Sequence, residues 1–187
     1  MTNIHFNRRA VEERAIDPFR SVHLGQHGPL YNRSVLDGDK KLGFDTIRSG
    51  DLVKMEPEVV AEWIIKKVGV ESKVYISVDI DVVDPGFAPG TGTPESGGMQ
   101  PRELFNILRC LKGRLNIIGG DVMEVCPSYD VAETTSLVAI STLWEMITSS
   151  LPWCKMMNVG VVLGKTFCLT TRALMFPFHL VIYDIVA

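Results

Sequence analysis

The apolar positions of this chain recur with two alternating periods. Residues 8–16 (RRAVEERAI) read as a helix closed by Asp17-Pro18, and residues 21–24 (SVHL) and 44–47 (FDTI) as short strands. Glu56-Pro57 opens the next helix, because proline at the first helical position gives up an N–H that has no partner there anyway. Val59, Val60, Trp63, Ile64 and Val68 then fall on one face at helical spacing. Residues 74–79 (VYISVD) form a nearly continuous apolar run, as expected of a strand covered on both faces of a parallel sheet. Residues 101–111 predict a helix with Leu104, Ile107, Leu108 and Leu111 along one stripe. Residues 115–118 (LNII) predict a buried strand ending at Gly119-Gly120, and 131–147 a long helix. Strands alternating with helices of about ten residues or more predict an α/β fold, a mostly parallel sheet with helices on both faces.

This alternation stops near residue 150. In residues 151–187, 24 of 37 positions are hydrophobic, rich in Met, Cys and Phe and without a clear period. The charge sign changes as well: the tail carries three basic side chains and one acidic, against 16 basic and 21 acidic in residues 1–150. The chain is therefore expected to divide into an α/β domain over 1–150 and a hydrophobic tail over 151–187 that packs poorly against it. Lys165, Arg172, His179 and Asp184 interrupt the tail well short of the roughly 18–20 apolar residues a membrane span needs.

Composition narrows the function classes. With 46% hydrophobic and 22% charged residues, the 187-residue chain has the apolar surface to build a core, which excludes disorder over most of its length. A net charge of -3 without a basic run argues against nucleic acid as a partner. Cys110, Cys126, Cys154 and Cys168 show neither zinc-knuckle nor redox spacing, which fits a reducing compartment. Charged residues break every apolar stretch in residues 1–17, so no signal peptide is read there and a cytoplasmic location is the default expectation.

The segment that carries chemistry is 77–98, SVDIDVVDPGFAPGTGTPESGG. Asp79 and Asp81 stand two apart at the end of a predicted strand, so both carboxylates are expected on one face. Ligand sites of parallel sheets lie beyond the carboxyl ends of the strands. Two like charges side by side there call for a cation between them, and carboxylate oxygen suits Mg²⁺ or Mn²⁺. Equally, the two acids can simply cap the next segment, since Asp is common where strands end. Three prolines and five glycines in residues 85–98 suit a long, rigid loop folded back over a site.

The wider string resembles the arginase/agmatinase (ureohydrolase) family. Ser77-Val78-Asp79-Ile80-Asp81 is followed by Pro85, Pro89-Gly90 and the Gly90-Thr91-Gly92-Thr93-Pro94 core. Gly120-Asp121-Val122-Met123-Glu124-Val125 with Pro127 then resembles the family's D-x-M-E-V-x-P segment, and Arg8-Arg9-Ala10-Val11-Glu12-Glu13 with Ile16-Asp17 resembles a helix of agmatinases. The resemblance implies a three-layer α/β/α fold and a hydrolase that cleaves a guanidinium C–N bond, of agmatine or a related guanidine, releasing urea at a binuclear manganese centre. It implies Asp79 and Asp81 as metal ligands and Glu124 as the carboxylate that receives the guanidinium. Its members are often homo-oligomers.

The family's other four metal ligands lie in a Gly-Gly-Asp-His and an Asp-Ala-His-x-Asp segment, and neither occurs here. The chain looks like the C-terminal half of a ureohydrolase, with the first strands missing and activity impaired in isolation. A non-catalytic pseudoenzyme or interaction fragment of the same fold is the alternative. His5, ahead of the Arg8-Arg9 helix, is the candidate for the family's site histidine before that helix, or else a plain N-terminal histidine. His23, between Val22 and Leu24, is expected to be structural, and His27 has no assigned role.

Overall fold

The computed structural model describes residues 3–29, 34–150 and 180–185. Along the chain these form α1 (Asn3–Glu12), β1 (Ile16–Gln26), α2 (Ser34–Leu42), β2 (Asp45–Arg48), the one-turn helix α3 (Ser49–Leu52) and α4 (Pro57–Val68). They continue as β3 (Lys73–Asp79), α5 (Pro101–Leu111), β4 (Asn116–Met123), α6 (Thr134–Ser150) and β5 (Leu180–Ile185). Short 3-10 turns at Ile80–Val82 and Pro127–Tyr129 follow β3 and β4.

Local chemistry explains the best-defined helices. Pro101 and Pro57 sit in the first turns of α5 and α4, and α5 adds a capping box in which Gln100 and Glu103 satisfy each other's backbone N–H. Its stripe of Leu104, Ile107, Leu108 and Leu111 is buried, as the spacing predicts. In α4, Val60, Ile64 and Val68 enter the core while Val59 stays 53% exposed. The amino-terminal helix ends at Glu12 rather than near residue 16, because Arg14 takes a left-handed backbone at φ 56° and Ile16 already begins β1. The predicted strand at 115–118 runs on through Gly119-Gly120 to Met123. A Cβ at Gly120 would stand 2.5 Å from the Ile76 carbonyl oxygen, so glycine here permits close strand approach instead of ending the strand.

The five strands form one sheet in the order β2-β1-β5-β3-β4. β1 pairs parallel with β2 and β3 with β4, while β5 runs antiparallel to both β1 and β3. The other four strands therefore all point the same way. Strand alternation separates two apolar layers. Val22, Leu24, Val74, Ile76 and Val78 face α4, α5 and α6, whereas Ile16, Phe44 and Tyr75 pack with Ala10, Val11 and Leu42 on the opposite side. The result is the expected α/β/α arrangement.

The tail departs from its expectation where it is described. Leu180–Ile185 does not pack poorly: it is an interior strand with Ile182 fully buried, because backbone edges on both sides supply hydrogen-bond partners for an apolar run. Residues 151–179 lie outside the described part. Among the described residues, no helix is long and apolar enough to cross a membrane.

Candidate active site

β3 delivers Asp79 to the carboxyl end of the sheet, and the chain turns immediately. Asp81 lies in the following 3-10 turn rather than on the strand, so the turn, and not strand alternation, sets the pair's geometry. Asp79 accepts a hydrogen bond from the Asp81 N–H at 3.1 Å, which makes it the cap of that turn as well as a candidate ligand. Both acids are buried, Asp79 at 6% and Asp81 at 1% exposure. Asp81 Oδ2 accepts the Thr93 hydroxyl at 2.9 Å, while its Oδ1 is buried with no hydrogen-bond partner among the described residues. Burial raises the Asp81 carboxyl to about 7, helped by the nearby negative charge of Glu124 and opposed by the Thr93 hydrogen bonds. A carboxylate oxygen left bare in such a place is one that a bound cation would satisfy.

Glu124 follows β4, the neighbour of β3, and reaches the same end of the sheet. Its backbone is left-handed at φ 62°, a strained conformation for a residue with a side chain. The Thr91 hydroxyl donates to the Glu124 carbonyl at 3.0 Å, and Thr91 bridges to Val125, which fixes this turn to the glycine-rich loop. A Cβ on Gly92 would lie 3.7 Å from Glu124 Oε2, so the loop runs beside the carboxylate, which remains exposed. The site thus brings together Asp79, Asp81 and Glu124 at one end of the sheet.

The loop is held from three directions. Asp84 accepts N–H bonds from Gly86 and Gly97, both at 2.9 Å, and these hold its carboxyl below the usual range. Gly98 packs against the Val82 carbonyl so closely that an added Cβ would come within 2.8 Å. On the β4 side, Gly90 donates to the Thr135 hydroxyl at 2.7 Å and accepts from the Cys126 N–H at 2.8 Å. On the β1 side, His27 Nε2 meets the Glu95 carbonyl at 3.0 Å while its Nδ1 meets the Gly25 carbonyl at 2.9 Å. His27 therefore has a role the sequence did not assign: it ties the loop to the end of β1. Beside it, Gln26, Arg48, Ser49, Lys54 and Gly97 line a polar cavity of about 400 Å³.

Of the other histidines, His23 is the one whose side chain is described. His23 is fully buried, stacks on Phe44 with ring centroids 4.5 Å apart, and meets Asp39 at 3.0 Å and Gln26 at 3.4 Å. That is a structural role, as its apolar neighbours suggest. His5 falls on α1 itself rather than ahead of a helix, and its side chain is outside the described part. Thr91, Thr93 and Asp84 went unnoticed as separate residues, although all three stand inside the 77–98 string. Among the described residues, no cluster of three or more His, Cys, Asp or Glu side chains is placed to hold a metal ion.

With this geometry in view, the relatives are informative. The sequence profile of the arginase family matches residues 3–148. Proclavaminate amidinohydrolase of Streptomyces clavuligerus is 42% identical over 140 residues, covering 75% of this chain and 44% of its own length. Guanidinopropionase of Pseudomonas aeruginosa is 38% identical over 140 residues, covering 75% of this chain and 43% of its own length. The solved structure of the Streptomyces clavuligerus amidinohydrolase superposes with a TM-score of 0.70 at 40% identity, over 77% of this chain and 46% of that one. This chain therefore spans less than half the length of these relatives, and it belongs to the arginase family.

Proposed function

We propose that this chain provides the guanidinium-binding side of a ureohydrolase site, agmatinase-like in its reaction. The observation that carries the reading is Asp81: a buried carboxylate with one oxygen bare among the described residues, next to Asp79 and Glu124 at the carboxyl end of the sheet. Asp79 and Asp81 would hold manganese, whose role is to lower the pKa of a bound water and aim it at the guanidinium carbon. Glu124 accepts two parallel N–H bonds from the planar guanidinium and orients its carbon toward the aspartates. The loop at Gly92 flanks the carboxylate on one side and leaves the other open for a guanidinium to approach. The product is urea, and the substrate is agmatine or a related guanidine, which places the reaction in polyamine metabolism if agmatine is used.

A second reading has its own observation. Two acids with no third ligand cluster among the described residues favour a non-catalytic member of the fold, since metal affinity depends on ligand count and preorganisation. Titration with Mn²⁺ followed by electron paramagnetic resonance tests the metal site. Loss of the free-ion signal that Asp81→Ala restores supports it, and identical titrations of the two proteins refute it. Urea release from agmatine and 4-guanidinobutyrate under excess Mn²⁺ tests catalysis by the chain itself: saturable turnover abolished by Asp79→Ala identifies an enzyme and refutes the non-catalytic reading.

A further inference from the structure

His27 makes a pair of contacts that its neutral form cannot satisfy. Its Nδ1 stands 2.9 Å from the Gly25 carbonyl oxygen and its Nε2 3.0 Å from the Glu95 carbonyl oxygen. Both partners only accept, and a neutral imidazole has a single N–H to give. The imidazolium fills both contacts, whereas the neutral ring aims a lone pair at one carbonyl or the other. The residue is 8% exposed, so water has little access to replace a lost partner. The backbone is shaped for this arrangement. Gly25 and Gly28 bracket the histidine at φ 80° and 86°, and a Cβ on Gly28 would come within 3.2 Å of Glu95 Cγ, so the end of β1 lies close against the loop. The Gly25 contact is local and travels with the ring. The Glu95 contact bridges a separation of 68 residues and is the one that joins β1 to the loop. Two residues before Glu95, the Thr93 hydroxyl holds Asp81.

We propose that His27 is a positioning residue acting as a proton-dependent latch: as imidazolium it pins Glu95, and through it Thr93, at the carboxyl end of the sheet, and on losing its proton it lets this part of the loop go. The latch itself does not depend on catalysis; its consequence for Asp81 and a bound guanidine rests on the proposed function. Among the described residues, charged groups face His27 from three sides. Glu95 and Asp84 belong to the loop, and the Asp84 carboxyl is held low chiefly by the Gly86 and Gly97 N–H groups, with the charge of His27 the smallest contributor. Arg48, Asp51 and Lys54 line the adjoining cavity from β2 and the turn around α3. Asp39 of α2 lies behind Gln26. Asp81 also acts on the loop, through Thr93. The Ser49 hydroxyl donates to the Gly97 carbonyl and does not titrate, so it keeps the far end of the loop in place and confines the change to residues around 93–96.

Nuclear magnetic resonance on the full chain tests this between about pH 5 and 8, the window in which imidazoles titrate. Ring ¹⁵N shifts of His27 count its protons, and ¹⁵N relaxation reports the loop. In the wild type, the amide order parameters of Thr93, Glu95 and Ser96 are expected to fall from about 0.85, typical of rigid backbone, to below about 0.6 as the ring loses its proton. The two transitions should share one midpoint. His27→Arg, always charged and with donors for both carbonyls, should keep the loop rigid throughout, and His27→Gln, never charged, should leave it mobile throughout. A loop that stays rigid while the His27 ring becomes neutral overturns the proposal. So does a His27→Gln loop as rigid as the wild type at the acid end, or a transition that survives in His27→Gln, since it then belongs to Asp81 or another group. Order parameters that switch with His27 in a chain that binds no Mn²⁺ leave the latch standing and count against the proposed function alone.

Discussion

Asp130 shows how a single acid can organise an element without looking special in sequence. It sits ahead of α6 and accepts the Thr135 and Ser136 N–H groups at 2.9 Å each and the Ser136 hydroxyl at 2.8 Å. Burial works against its charge, but these bonds outweigh it and bring the carboxyl down to about 2. Its ordinary value is 3.8, so the cap's contribution is complete above about pH 4 and fades as pH falls toward 2. Replacing a capping Asp costs roughly 1 kcal/mol in typical helices. Urea midpoints measured from pH 6 to pH 2 should show Asp130→Ala less stable than wild type at the upper end, with the gap closing below about pH 4. A gap independent of pH would mean that the carboxylate charge is not what caps α6. Asp79, Asp81 and Glu124 were legible because they stand in family motifs. Asp84 and Asp130 were not, because their partners are backbone N–H groups that only the folded loop brings round.

Among the elements, α5 could be read almost residue for residue, since proline, capping box and apolar stripe agree. α2 was missed: nine residues with a central Gly38 give a weak periodic signal, and its place comes from contact with α1 and β2. β5 was missed for a different reason. An interior strand and an unstructured apolar tail share the same signature, a run without alternation, and no local feature of LVIYDI names its partners. Its register provides a sharp check, because Val181 stands opposite Ser77 in the antiparallel pair with β3. Such partners have Cα atoms about 4.5–5.5 Å apart, within the span of a disulfide. The Ser77→Cys/Val181→Cys chain is expected to close an intramolecular bridge under mild oxidation, and Ser77→Cys/Ile182→Cys is not. Bridging in the second pair, or only between molecules, would refute the strand assignment.

For the molecule as a whole, the fold class and the layering followed from the alternation of periods, whereas the sheet order did not. Long-range pairing depends on which edges are left open, and a segment beyond the family match fills the space between β1 and β3. The expectation that the tail packs poorly therefore reverses at β5. Deleting residues 151–187 would bare two interior strand edges that carry Val22, Leu24, Ile76 and Val78, all fully buried in the intact chain. Unpaired apolar edges of this kind template association between chains. The shortened protein is expected to move into the insoluble fraction, or to scatter light at concentrations where the full chain remains clear. A soluble, monomeric 1–150 fragment with unchanged hydrogen exchange in β1 and β3 would show that β5 is not needed to close the sheet.

The left-handed backbone at Glu124 has an evolutionary meaning. A side chain in that conformation costs about 1 kcal/mol or more relative to glycine, which adopts it freely. Stability alone would favour glycine at this position, and under the proposed function the carboxylate's contact with the guanidinium is what offsets that cost. A lineage still using the guanidinium contact must retain the strained residue, whereas a lineage that has abandoned the chemistry is free to drift to glycine or asparagine and gain a firmer turn. If Glu124 has the proposed role, position 124 works as a fossil marker: across descendants of this gene, its identity is expected to record whether selection was still acting on the reaction or only on the fold.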